Sequence, residues 1–253
     1  MRVERRFTDV GGYRFYSVHS GAGPPVVLLH GLSGSARWWR HTLPALAEGY
    51  SVHIPDLIGF GRSRRRGGDQ PDIPTLARLL VDWLDAQGLD RTHLVGHSMG
   101  GQLSVHIAAS HPTRIDRLVL VSAAGIPRPR SVAELARFIA EIAPPRAWGR
   151  LTFLPTIATD ALRAGPRVLW RATRHLLADD IRPLLPRIVH PTLLVWGRLD
   201  PLTPVDHGRI IAESIPGARL VIFEDAAHNP MADRPAAFNE LVVSFLAEAD
   251  GAA

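Results

Sequence analysis

Three residue types that together turn a weak hydroxyl into a nucleophile stand far apart in this chain. Ser98 lies in "VGHSMGGQ", residues 95–102, where an apolar run gives way to a helical pattern. A serine hydroxyl attacks poorly at neutral pH and needs a base within hydrogen-bond reach. His228, in "AAHNPM", is the candidate base. Asp200, in "WGRLDPLTP", is the candidate acid that fixes the imidazole tautomer and stabilises the imidazolium. A lone G-x-S-x-G arises by chance in about one chain in ten of this length. The weight therefore falls on the elements that position the three groups.

Those elements alternate. "PPVVLLHG", "SVHIPDLIGFG", "THLVGHS", "IDRLVLVSAAG", "TLLVWGRLD" and "ARLVIFEDAAH" read as strands, and "YRFYSVHSG" as an earlier one. "ARWWRHTLPALAEGY", "MGGQLSVHIAASHP", "DHGRIIAESI" and "PAAFNELVVSFLAEA" carry helical spacing. In "IPTLARLLVDWLDAQGL", Leu76, Leu79, Leu80, Trp83 and Leu84 share one helix face, and Gly88 sits at the C-terminal cap. This alternation predicts an α/β fold with a doubly wound, mostly parallel sheet. On such a sheet functional groups gather at the carboxyl ends of strands, where Ser98, Asp200 and His228 all fall.

One stretch breaks the rhythm. Pro127–Leu185 holds helical patterns, clearest in "SVAELARFIAEIAP" and "GPRVLWRATRHLLADD", and no convincing strand. The expected organisation is a core of residues 1–126 and 186–253 with a helical cap at 127–185. Leu135, Phe138, Ile142, Phe153, Leu154, Leu169, Trp170 and Leu177 are the apolar candidates for lining a pocket or packing the cap itself.

Four motifs, "HGLSGS", "GHSMGG", "WGRLDPLTP" and "HNPMADRP", occur in the order Ser, Asp, His. In this the chain resembles the α/β-hydrolase fold superfamily, in particular carboxylesterase-like serine hydrolases with a helical cap. The resemblance implies a strand-to-helix turn at Ser98, eased by Gly96, Gly100 and Gly101. It also implies an oxyanion hole from the backbone N–H groups of Met99 and Leu32, with Ser33 as the alternative to Leu32. The expected reaction is hydrolysis of a small-molecule carboxylic ester, with an apolar part, through an acyl-enzyme. The alternatives on the same triad are C–C bond hydrolysis of ring-fission products, lactone or peptide cleavage, and perhydrolysis. Ring-fission hydrolases often show Asn where this chain has His97; dehalogenases and epoxide hydrolases use Asp where it has Ser98. Asp233 stands where the family often has Glu, a departure read as structural. Asp206 and Asp225 lie near Asp200 in sequence but miss the strand end. His30 and His97 are expected to pack or hydrogen-bond beside the site, and Trp38 and Trp39 to form core or pocket wall. A non-catalytic binding module on the same fold is the rival of another class, and an intact Ser98, Asp200 and His228 argue against it.

Composition removes other chemistries. The 253 residues contain no cysteine, so no thiolate nucleophile or cysteine metal site is possible. All 29 basic residues are arginine, which excludes a Schiff-base lysine and a Walker A lysine. H-E-x-x-H and G-x-G-x-x-G motifs are missing, and no cofactor or metal is expected. The formal charge is +5, with ten arginines against five acids in Pro127–Leu185. A general bias towards Arg, Ala, Gly and Pro accounts for it, and no nucleic-acid partner is expected. The N-terminal residues have no apolar h-region, and no run of 18 apolar residues occurs. The expectation is a cytoplasmic protein without stable membrane insertion.

Overall fold

The computed structural model describes residues 2–65, 70–127 and 149–248. Its strands are β1 (Val3–Val10), β2 (Tyr13–Ser20), β3 (Pro25–Leu29), β4 (Ser51–Pro55), β5 (Arg64–Arg65), β6 (Thr92–His97), β7 (Ile115–Val121), β8 (Thr192–Gly197) and β9 (Arg219–Phe223). They form one sheet in the order β1-β2-β4-β3-β6-β7-β8-β9, with β5 beside β2. β1, β2, β4 and β5 pair antiparallel, and β4 through β9 run parallel along the rest of the sheet. The helices are α1 (Leu43–Leu46), α2 (Ile73–Ala86), α3 (Met99–Ser110), α4 (Leu154–Ala164), α5 (Pro166–Ala178), α6 (Val205–Ser214), α7 (Pro230–Asp233) and α8 (Pro235–Ala247). This is the expected α/β fold.

Central strands β3 and β8 are apolar along nearly their whole length because both sheet faces are covered. Every residue of β6 and β8 is buried. One core gathers Leu76, Leu80, Trp83 and Leu103 from α2 and α3 against Val27, Leu29, Leu94 and Leu120. The other gathers Trp39, Leu46, Phe238 and Phe245 against Leu28, Val95 and Val119. The predicted face of α2 is the buried one, and Asp72 caps its start by accepting from the Thr75 N–H at 2.9 Å. The chain leaves β3 for β4 on one side and returns to β6 on the other. That reversal makes the carboxyl ends of β3 and β6 a topological switch point, where open α/β sheets bind ligands.

Two elements differ from expectation. β1 is an added edge strand. Its sequence "VERRFTDV" is too charged and exposed to show a buried pattern, yet it zips to β2 across the Gly11-Gly12 turn. "ARWWRHTLPALAEGY" does not make one helix. It forms a 3-10 turn at Ala36–Trp39 and then α1. Pro44 accounts for the break, since in a continuous helix its ring would strike the Arg40 carbonyl. Between β7 and β8 the described residues include α4, α5 and two short 3-10 turns joined by irregular segments. The segment "SVAELARFIAEIAP", with Leu135, Phe138 and Ile142, lies outside the described residues. Of the other apolar candidates there, Phe153 is buried against Trp38, while Trp170 and Leu177 are exposed.

Away from the switch point, register aligns Glu4, His19 and His53 in one row across β1, β2 and β4. The Nδ1 atoms of His19 and His53 are 2.8 Å apart, so one imidazole donates and the other accepts. Ser17 and Ser51 bond the outer ring nitrogens at 2.6 and 2.9 Å. Burial, then the charge of the other histidine, pushes His19 down to about 4; burial, then Arg6, does the same to His53. An unfolded histidine titrates near 6.5, so between those values the unfolded chain binds more protons. Stability is then full above about pH 6.5 and is lost as pH falls towards about 4. Melting temperature should drop across that window, and less so in a His19→Gln/His53→Gln variant. An equal drop in both proteins would refute this role for the pair.

Candidate active site

Ser98 follows the last residue of β6 and precedes α3, with φ 52° and ψ −116°. This left-handed, strained conformation is rare outside glycine. It is held from both sides: the Ser98 N–H donates to the Val121 carbonyl at 2.9 Å, and the Ser98 carbonyl accepts from Gln102 and Ala124. Gly100 is required by close approach. A Cβ there would lie 2.7 Å from the His30 carbonyl oxygen and run into that of Leu29. Backbone this close cannot give way, so the first turn of α3 sits directly on the end of β3. Met99 is the first residue of α3, and its N–H has no intrahelical acceptor. Ser33 and Ser122, the other two non-glycine residues with positive φ among the described residues, lie past the ends of β3 and β7. Strain among the described residues is thus concentrated at this end of the sheet.

Gly31 is the nearest part of the loop after β3. A Cβ on it would stand 3.1 Å from the Ser98 Cβ and 2.9 Å from His97 Nδ1. Leu32 is the next residue in the chain, and Ser33 after it has φ 63°. His30 locks this loop. Its Nε2 accepts the Leu57 N–H at 2.9 Å, so its Nδ1 carries the proton and donates to the Gly31 carbonyl at 2.8 Å. Burial holds its pKa below the ordinary histidine value, which keeps that neutral tautomer.

His228 and Asp200 meet at the ends of β9 and β8. The His228 Nδ1 lies 2.9 Å from Asp200 Oδ2, and both side chains are almost fully buried. Every lone-pair direction of the carboxylate is used. Oδ1 accepts the N–H groups of Leu202 and Thr203 at 2.9 and 3.0 Å, and Oδ2 also accepts the Thr203 hydroxyl at 2.7 Å. Burial opposes ionisation of Asp200, but the His228 charge and hydrogen bond, with the Thr203 donors, outweigh it and hold its pKa below the ordinary carboxylate value. The nearby acids belong to the surface: Asp206 pairs with Arg209, and Asp225 with Arg234. Asp233 is structural in its bonding, accepting from Ala227 and Arg150 N–H groups at 2.8 and 2.7 Å beside His228.

Two residues join the halves of the site. His97 Nε2 lies 2.8 Å from the His228 carbonyl, which only accepts, so Nε2 carries the proton. Burial, then the His228 charge, pushes His97 down to about 3 and keeps it neutral. The Trp38 ring packs 5.6 Å from the His97 ring at a tilt and 5.5 Å from Phe153 edge to face. The roles expected for His30, His97 and Trp38, hydrogen bonding and wall, match these contacts. Thr203 was not singled out in the sequence, although "WGRLDPLTP" contains it.

A strained serine at a strand-to-helix turn, with a buried His–Asp pair at neighbouring strand ends of a mostly parallel sheet, has the layout of an α/β hydrolase. The alpha/beta hydrolase fold family matches residues 24–177 and 157–235, and the chain belongs to that family. Two relatives show its breadth. A 2-hydroxy-6-oxo-6-phenylhexa-2,4-dienoate hydrolase of Burkholderia cepacia is 30% identical over 94% of this chain and 93% of its own. A pimeloyl-[acyl-carrier protein] methyl ester esterase of Aeromonas hydrophila is 32% identical over 89% of this chain and 96% of its own. The solved enol-lactonase of Burkholderia xenovorans superposes with a TM-score of 0.80 at 27% identity, covering 96% of this chain and all of that one. No helix among the described residues is long and apolar enough to cross a membrane.

Proposed function

We propose that this hydrolase cleaves carboxylic esters through an acyl-enzyme, with Ser98 as nucleophile, His228 as general base and Asp200 as its orienting partner. The N–H groups of Leu32 and Met99 form the oxyanion hole, and residues 127–185 act as the cap over it. The observation that carries the reading is the strained Ser98 turn facing the Gly31–Leu32 loop, in the same site as the buried His228–Asp200 pair.

Ser98 Oγ attacks the acyl carbon while His228 Nε2 takes its proton. Asp200 holds the proton on Nδ1, which leaves the Nε2 lone pair free for that step. Negative charge builds on the carbonyl oxygen between the two N–H groups, and the N-terminus of α3 favours it. His228 returns the proton to the leaving alcohol, and water repeats the sequence to release the acid. Trp38 and Phe153, near His97, offer an apolar wall, which suits a substrate with an apolar part.

C–C bond hydrolysis is the second reading, favoured by the Burkholderia cepacia relative. It must expel carbon rather than oxygen, so it needs a proton delivered to carbon as well as the triad. Lactone cleavage is chemically an ester cleavage and falls within the first reading. The test is a p-nitrophenyl ester series of increasing acyl length run beside a vinylogous β-diketone ring-fission product. Ester turnover with a stoichiometric fluorophosphonate adduct on Ser98 supports the proposal. Turnover of the ring-fission product alone would replace it with the second reading.

A further inference from the structure

Asp160 lies on α4, far in sequence from Ser98, His228 and Asp200, yet its side chain is completely buried. Its Oδ2 accepts the Ser35 hydroxyl at 2.8 Å and the Trp38 indole N–H at 3.2 Å, and its Oδ1 accepts the Arg37 guanidinium. Three of the four residues from 35 to 38 therefore converge on one carboxylate contributed by the segment between β7 and β8. Only an anion accepts from all three without presenting a donor of its own.

These residues continue the loop that begins at Gly31 and Leu32. Within that loop His30 holds the Gly31 carbonyl, and Asp56 Oδ1 accepts the Ala36 N–H at 2.6 Å. Asp160 adds a further restraint through Ser35, Arg37 and Trp38. It also reaches the base, because the Trp38 ring packs at a tilt against His97 and His97 donates to the His228 carbonyl. From this geometry we infer that Asp160 is a positioning residue. It fixes the oxyanion loop and the Trp38–His97–His228 contact, so that the site is assembled only when α4 is seated. The inference rests on the hydrolase reading above, since Leu32 is the oxyanion donor only within it.

The test uses the full chain with Asp160→Asn, Asp160→Ala and Ser35→Ala. A donor loop displaced from the oxyanion should lower kcat for a p-nitrophenyl ester about 100-fold in the Asp160 variants, with KM within about twofold of the parent. Inhibition by an arylboronic acid, which forms a tetrahedral anion on Ser98, should weaken by a similar factor. Ser35→Ala removes the bond to Asp160 and a long cap bond from the Arg37 N–H but leaves the buried charge paired with Arg37, so it folds even if Asp160→Ala does not. It should lower kcat by a smaller factor, and add nothing in the Asp160→Ala background, where the acceptor is already gone. Unchanged kcat with a lower melting temperature, or a raised KM with kcat unchanged, would overturn the assignment while leaving the hydrolase reading intact. A parent chain without Ser98-dependent turnover would overturn both.

Discussion

Ser98→Ala is expected to lower kcat by about a million-fold while leaving the fold intact, since triad members fail together when one is removed. That factor corresponds to about 8 kcal/mol of lost transition-state stabilisation. The fold should tolerate the change because what holds Ser98 is backbone: its N–H bonds Val121, and its carbonyl accepts from Gln102 and Ala124. Alanine keeps those bonds and meets the same cost at φ 52° as serine does. Removing one oxygen therefore removes chemistry and almost nothing else. KM should stay close to the parent value, because a substrate already seated against the wall loses no contact before attack. Stopped assays at high enzyme concentration, with circular dichroism as the control, read both effects. A variant that keeps more than about a thousandth of the parent rate would show that the turnover does not pass through an acyl-Ser98.

The parts of the site that sequence reading located are those that strand ends announce. Ser98 and Asp200 follow β6 and β8, which are buried throughout, and His228 follows β9, an apolar run that is only half-buried with Arg219 exposed. What escaped has no such period. Asp160 is one of five acids in an arginine-rich segment, where a charge normally faces water; only the fold brings Ser35, Arg37 and Trp38 to it. β1 escaped because an edge strand with one open face can be charged, and its pairing shows only in the Gly11-Gly12 turn. The broken helix at 36–46 was signalled by Pro44, which the helical spacing around it outweighed. Thr203 lies inside a motif already noticed. Its role depends on a hydroxyl returning to the Asp200 carboxylate three residues back, a contact set by the local turn rather than by residue type.

Asp200→Asn should cost about 10⁴ in kcat, some 5 kcal/mol, with KM and melting temperature far less affected. The hydrogen bonds dictate why. The Oδ1 position faces two backbone N–H groups, from Leu202 and Thr203, so an asparagine must place its oxygen there. Its NH₂ group then occupies the Oδ2 position and points at His228 Nδ1. Nδ1 becomes the acceptor, the ring proton moves to Nε2, and the lone pair that should take the Ser98 proton is gone. The Thr203 hydroxyl can turn to the Ser122 carbonyl, 3.2 Å away, and accept from the new amide, so no buried group is orphaned. The variant is thus folded with its base in the wrong tautomer, a state distinguishable from unfolding by nitrogen NMR of the His228 ring. Asp206→Asn and Asp225→Asn change only exposed ion pairs and should leave kcat within about twofold. A large loss in either of those, with Asp200→Asn near the parent rate, would place the orienting acid elsewhere. A loss in Asp200→Asn alone ties the rate to one proton on one ring nitrogen, held there by a carboxylate whose pKa the His228 charge and hydrogen bond, with the Thr203 donors, keep low against burial.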